Sequence, residues 1–219
     1  MSLVVNNLNN IEKQIKSKVK DLNIIKFPKI IAVSKTFKLS QIMPIIEYGH
    51  CDFGENKVQE ALEKWSIIKK KNKNIKLHLI GKLQTNKVKL AVQIFDYIHS
   101  VDNERLAKKI ADEQKKINKK IKIFLQVNIG NESQKSGIDK NYIKDLVSYC
   151  NKIELNIIGL MCIPPVNIDP ENHFKEMSEL NKSLGFKELS MGMSSDFLVA
   201  IKHTSTYVRV GSGIFGPRY

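Results

Sequence analysis

The chain has 219 residues, 42% of them hydrophobic and 26% charged, the balance of a soluble globular protein and a length that one large α/β domain fills, so residues 1–219 are expected to form a single domain. No apolar run approaches the roughly 20 residues of a membrane-crossing helix, the N-terminus has no signal-peptide pattern, and Cys51, Cys150 and Cys162 are an odd number without a CxxC pair; a disulfide framework and a zinc site are disfavoured and a reducing cytoplasm is favoured. The formal net charge of +14 is almost all lysine, Arg105, Arg209 and Arg218 being the arginines, which points to compositional bias and solvated lysines rather than a nucleic-acid-binding patch.

The first twenty residues place Leu3, Val4, Leu8, Ile11, Ile15 and Val19 on one face of an opening amphipathic helix. Residues 29–34 then read as a first strand, with Ser40 as cap of a helix through Tyr48. Residues 51–53 form a second strand, followed by a helix over 57–69. The lysine-dense run 69–76 is expected to be a solvated helix end and loop. A third strand spans 76–81, with a helix near 86–95. The fourth covers 97–101, and Asn103 caps the helix 104–117. The fifth, 121–129, precedes a small-residue loop and a helix near 141–151. The sixth, 155–162, leads through proline turns to a helix over 173–184. The seventh, 187–192, is followed by a helix that Ser195 opens toward Lys202. The eighth, 207–210, closes on GSGIFG.

Short β-branched runs alternating with helical spacing are the mark of parallel βαβ units. Eight of them favour a closed (β/α)8 TIM barrel over an open doubly wound sheet. All three cysteines adjoin apolar segments and are expected to be buried small hydrophobes. The histidines show no metal-ligand spacing, and His78 reads as a satisfied core residue.

In such a barrel the chemistry gathers at the C-terminal ends of the strands. Lys35 ends an apolar strand there, and partial desolvation frees an amine for attack on a carbonyl; the alternative is a lysine reaching out to water. The turn VRVGSGIFG places Gly211 and Gly213 around Ser212 after the last strand, a pattern that offers backbone N–H groups to a phosphate, with SMGMSS as a second small-residue loop on the adjacent strand. Arg209 shares that strand end, as a structural arginine or as a partner for a ring nitrogen. Asn56 can hydrogen-bond a ligand or cap the next helix.

The segments AVSKTF, FGENKVQE, HLIGKLQTNK, SVDN, QVNIGNESQKSGI, IGLMCIPP, LSMGMSSDFLVAI and VRVGSGIFGPR occur in order from about residue 29 to the C-terminus. Together they resemble the YggS/PROSC family of pyridoxal phosphate homeostasis proteins, barrels of the alanine racemase N-terminal type. The resemblance implies that Lys35 holds pyridoxal 5′-phosphate (PLP) as a Schiff base. It implies Arg209 beside the pyridine nitrogen, Gly211 and Ser212 on the phosphate with Ser190 helping, and Asn56 and Met191 beside the ring. Ser212 stands where that family commonly has threonine, and the hydroxyl is retained.

A racemase of this type takes a second base, a tyrosine, from a further domain on the opposite face of the cofactor. This chain closes soon after its eighth strand, and Tyr48, Tyr97, Tyr142, Tyr149, Tyr207 and Tyr219 are not evidently placed for that task. The expectation is a non-catalytic, monomeric, cytoplasmic PLP-binding protein that buffers the cofactor or delivers it to PLP-requiring apoenzymes. It has no metal, nucleic acid or membrane partner; a PLP-dependent amino-acid racemase is the alternative.

Overall fold

The computed structural model describes residues 2–132, 134, 136–166 and 168–217. Eight parallel strands, β1 (Lys29–Val33), β2 (Asp52–Glu55), β3 (Lys76–Leu79), β4 (Tyr97–Val101), β5 (Lys122–Val127), β6 (Ile157–Cys162), β7 (Glu188–Ser190) and β8 (Tyr207–Val210), close into a barrel in sequence order. β8 returns to β1 in parallel, with Lys29 opposite Tyr207 and Ala32 opposite Val210. Helices follow each strand: α2 (Leu39–Glu47), α3 (Val58–Lys71), α4 (Val88–Ile94), α5 (Glu104–Lys116), α6 (Ile143–Lys152), α7 (Glu171–Ser183), α8 (Phe197–Lys202) and the short α9 (Ser212–Phe215). α1 (Leu3–Asp21) precedes them and packs against α8 and α9. The eight-strand expectation holds, with strand ends trimmed where the flanking residues turn into loops.

The core has two compartments, because alternate residues of a strand face opposite sides of the sheet. Outward residues such as Ile30, Leu77, Ile98, Leu125, Leu160, Leu189 and Val208 are sealed by the helices in one apolar annulus. Inward, Ile31, Tyr97, Phe124, Met161 and Tyr207 fill the barrel, beside the buried polar residues His78, His99, Ser190 and Arg209. Aromatic faces line up inside: His78 stacks on Tyr97 with centroids 4.1 Å apart, and His99 on Phe124 at 4.3 Å.

Several local expectations are corrected. The buried stripe of α1 is Val5, Leu8, Ile11 and Ile15, while Leu3 stands in solvent, since at 3.6 residues per turn Leu3 falls on the opposite face from Leu8. Ser40 lies inside α2; the Lys38 N–H is taken instead by Gln41 Oε1 at 3.0 Å. Asn103 does cap α5, accepting from the Leu106 N–H at 2.9 Å. Cys150 and Cys162 are buried, but Cys51 is partly exposed at the start of β2. Lys69 is mostly withdrawn from solvent, bonding Asp96 at 2.5 Å from the end of α3.

Gly159 shows how tightly the sheet closes. A Cβ there would lie 1.8 Å from the Glu188 carbonyl oxygen across the β6–β7 seam, and backbone cannot step aside as a flexible side chain can. Gly159→Ala is expected to destabilise the fold by about 3 kcal/mol, read as a lowered urea midpoint; a midpoint unchanged from the parent would show that this seam has slack.

Candidate functional site

Lys35 sits in the loop after β1, half-buried, and its neighbours on either side are pinned. Ser34 Oγ donates to Glu55 Oε1 at 2.7 Å. Glu55 Oε1 also receives Trp65 Nε1–H and Lys64 Nζ–H, each at 2.9 Å. Lys64 donates as well to the Ser34 carbonyl at 2.8 Å and to Glu60 at 3.0 Å. Glu60 in turn accepts the Thr36 N–H at 2.6 Å. Thr36 has φ +69°, a left-handed conformation that a β-branched residue adopts only when its surroundings impose it. The loop is therefore held from β2 and α3 on both sides of Lys35, which fixes where the amine emerges.

At the other side of the seam, Arg209 points inward from β8. Its Nη1 donates to the Ser190 carbonyl at 2.8 Å and to Ser190 Oγ at 2.7 Å, and its Nη2 to the Cys162 carbonyl at 2.8 Å. Burial lowers its pKa, opposed by Cys162 and Asp196. The Cys162 thiol is pushed up to about 12, chiefly by burial, and stays neutral. The cation is thus satisfied by carbonyls and a hydroxyl rather than by a carboxylate.

Beyond Arg209, Ser194 Oγ accepts from two backbone groups, Gly211 N–H and Gly213 N–H, both at 3.2 Å. Two amides converging on one oxygen make a short anion-binding nest. The loop that brings Ser194 there is set by Gly192, with φ +90°, and by Asp196, whose carboxylate takes the Met193 N–H at 2.5 Å.

These pieces enclose a cavity of about 300 Å³ at the C-terminal mouth of the barrel. It is lined by Lys35, Asn56, Arg209, Gly211 and Ser212 together with Val33, Ile80, Ile163, Met193, Ser194 and Ser195. Five of the seven residues singled out in the sequence therefore meet there. Ser190 and Met191 do not line it. Ser190 faces inward one layer deeper, its hydroxyl engaged by Arg209 and His99. Met191, just beyond β7, packs in the outer annulus under the helices. Ser194 and Ser195 were missed as individuals; the small-residue run SMGMSS was their signal. No group of three or more His, Cys, Asp or Glu placed to hold a metal occurs among the described residues, and no helix is long and apolar enough to cross a membrane.

Below the cavity, His78 and His99 are buried and held neutral. Burial lowers the His99 pKa well below its ordinary value, with His78 and Arg209 adding to the effect. Burial lowers that of His78 too, against the pull of Asp52. Asp52 is raised by its own burial, but His78, Lys29 and His50 outweigh this and keep it below the usual carboxylate range.

A sequence profile of the alanine racemase N-terminal domain family matches residues 7–219. The chain is 37% identical to the pyridoxal phosphate homeostasis protein of Haemophilus influenzae, across 98% of this chain and 96% of that one. It is 34% identical to the protein of that name from Escherichia coli K12, across 86% and 85%. PipY of Synechococcus elongatus, solved with PLP bound, superposes with a TM-score of 0.81 at 32% identity, over 92% of this chain and all of that one. A Clostridium difficile alanine racemase shares the fold at a TM-score of 0.73 and 15% identity, this chain spanning 57% of its length.

Two tests follow from the electrostatics. Lys64→Ala leaves Glu55 buried without its cation and is expected to cost about 3 kcal/mol in a denaturant melt, whereas a loss within experimental error would mean that the ion pair is dispensable. Unfolded histidine titrates near 6.5 while His78 and His99 stay neutral in the fold, so below that pH the unfolded chain binds more protons and stability falls with falling pH. Melting temperatures taken from about pH 8 to about pH 5 should be level at first and then decline below about pH 6.5, with Asp52 adding a further loss at lower pH; a level profile throughout contradicts the neutral assignment.

Proposed function

The chain belongs to the alanine racemase N-terminal domain family and, within it, to the pyridoxal phosphate homeostasis proteins, and from that membership we propose that it binds PLP in the cavity between Lys35 and Arg209. PLP brings an aldehyde that condenses with an amine, an aromatic ring nitrogen and a phosphate. The donor set matches each part. Lys35 supplies the amine and would hold the aldehyde carbon as a Schiff base. Arg209 supplies a permanent cation for the nitrogen, which disfavours ring protonation. The Gly211 and Gly213 N–H groups, with the hydroxyls of Ser194 and Ser212, suit a phosphate, and the Asn56 amide is positioned from the loop after β2 to bond the ring. The observation that carries the reading is the convergence of amine, guanidinium and paired N–H groups on one cavity from opposite sides of the β1–β8 seam.

The proposed role is PLP homeostasis in a reducing cytoplasm by a monomer that buffers the cofactor or passes it to PLP-requiring apoenzymes. Among the described residues, the cavity lining contains no tyrosine, histidine or carboxylate to exchange a proton on the face opposite Lys35, which supports carriage over racemisation. Tyr219 lies outside the described residues.

The absorption spectrum of purified protein with added PLP, before and after borohydride reduction, is the direct test. A near-visible band that reduction fixes to a Lys35-containing peptide, and that Lys35→Ala lacks, is expected. An unaltered band in the variant would move the attachment elsewhere, and conversion of L- to D-alanine by the purified protein would overturn the non-catalytic role.

A further inference from the structure

The barrel interior holds a row of polar side chains that apolar packing alone does not call for. His78 and His99 are fully buried, and purely hydrocarbon rings in their place would leave no nitrogen to satisfy. They are linked in a single line. Arg209 Nη1 donates to Ser190 Oγ at 2.7 Å. Ser190 Oγ lies 2.9 Å from His99 Nδ1, His99 Nε2 lies 3.0 Å from His78 Nδ1, and His78 Nε2 lies 2.9 Å from Asp52 Oδ1. The line runs from the cavity wall to the opposite end of the barrel, where Asp52 opens β2.

Its direction follows from counting donors. A guanidinium cannot accept, so Ser190 Oγ accepts from Arg209 and its own proton goes to His99 Nδ1. His99 must then carry its proton on Nε2 and donate to His78 Nδ1. His78 carries its proton on Nε2 and donates to Asp52. Every atom in the row is satisfied in this sense. In the reverse sense the Ser190 hydroxyl proton loses His99 as acceptor, and its other recorded partner is the Arg209 donor. A cation at one end and an anion at the other therefore set the row one way. The groups at the foot keep the anion in place: Asp52 faces His78 from β3, Lys29 from β1 and the nearby His50. Lys29 also lies over the rings of Tyr97 and Tyr207, and Lys122 over that of Tyr97.

We propose that Ser190, His99, His78 and Asp52 form a one-way hydrogen-bond relay, with both imidazoles fixed as neutral Nε2–H tautomers, that positions the Arg209 guanidinium against the bound ligand. The positioning clause rests on the proposed PLP site; the relay itself does not. Asp52, at the far end of the barrel from the cavity, is thereby a positioning residue for a ligand it never touches, and Ser190 contributes through Arg209 rather than through the phosphate.

Long-range proton–nitrogen spectra of histidine-labelled full-length protein, with and without PLP, are expected to show both rings as neutral Nε2–H tautomers from about pH 6 to about pH 8. An Nδ1–H tautomer or an imidazolium at either ring in that range overturns the relay. Ser190→Ala is expected to weaken PLP binding about ten-fold and to shift the absorption band, with Ser190→Thr restoring both through its hydroxyl. Wild-type affinity and band position in Ser190→Ala overturn the positioning role. Failure of the unaltered protein to take up PLP overturns the functional reading instead. The tautomer spectra, taken on the unaltered chain, decide the relay even where a variant does not fold.

Discussion

A guanidinium enclosed by a sheet must have its charge answered without bulk water, and much of this barrel's interior is arranged around that requirement. Arg209 is surrounded by the Ser190 and Cys162 carbonyls and the Ser190 hydroxyl, contributed by β7 beside it and by β6 one strand further on. A carboxylate partner would cancel the charge locally. Carbonyl dipoles spread it across the sheet and leave a cation on the cavity side. The aromatic stack below, from Tyr97 and Tyr207 through Phe124, excludes the water that would otherwise screen it.

The amine at the opposite wall is handled differently. Lys35 is placed by what grips Ser34 and Thr36, so its backbone position is fixed from β2 and α3. Glu55 is the hub of that grip, accepting from Ser34, Lys64 and Trp65 on a single oxygen. The cavity thus combines a buried cation on one wall and an amine on the other.

Much of this was legible in the sequence because parallel barrels write their strands as short apolar runs. Lys35, Asn56, Arg209, Gly211 and Ser212 were singled out from their positions at strand ends, and all five line one cavity. What escaped follows from geometry finer than a run of letters. Ser190 ends β7 facing inward, while Met191, the next residue, packs in the outer annulus. Ser194 bonds the Gly211 and Gly213 amides through a loop whose path depends on Gly192 and Asp196. His78 was read as a satisfied core residue, and it is, but its partners Asp52 and His99 come from the two adjacent strands. Such contacts have no local periodicity to announce them. The swap of Leu3 for Val5 in the buried stripe of α1, by contrast, follows from the 3.6-residue period, which puts Val5 and not Leu3 on the face of Leu8, Ile11 and Ile15.

The seam between β1 and β8 joins the strands farthest apart along the chain, while every other seam joins consecutive ones. The cavity straddles this seam, with Lys35 on one lip and Arg209, Gly211 and Ser212 on the other. During synthesis the two lips cannot meet until β8 has left the ribosome, so the pocket cannot form before that strand is made. A molecule that grasps both lips acts as a clasp on the longest loop closure in the fold, and its binding free energy is added to that of barrel closure. Binding and architecture would be coupled in this way: a barrel with both lips engaged would resist opening at the place where the empty one is entropically most costly to shut.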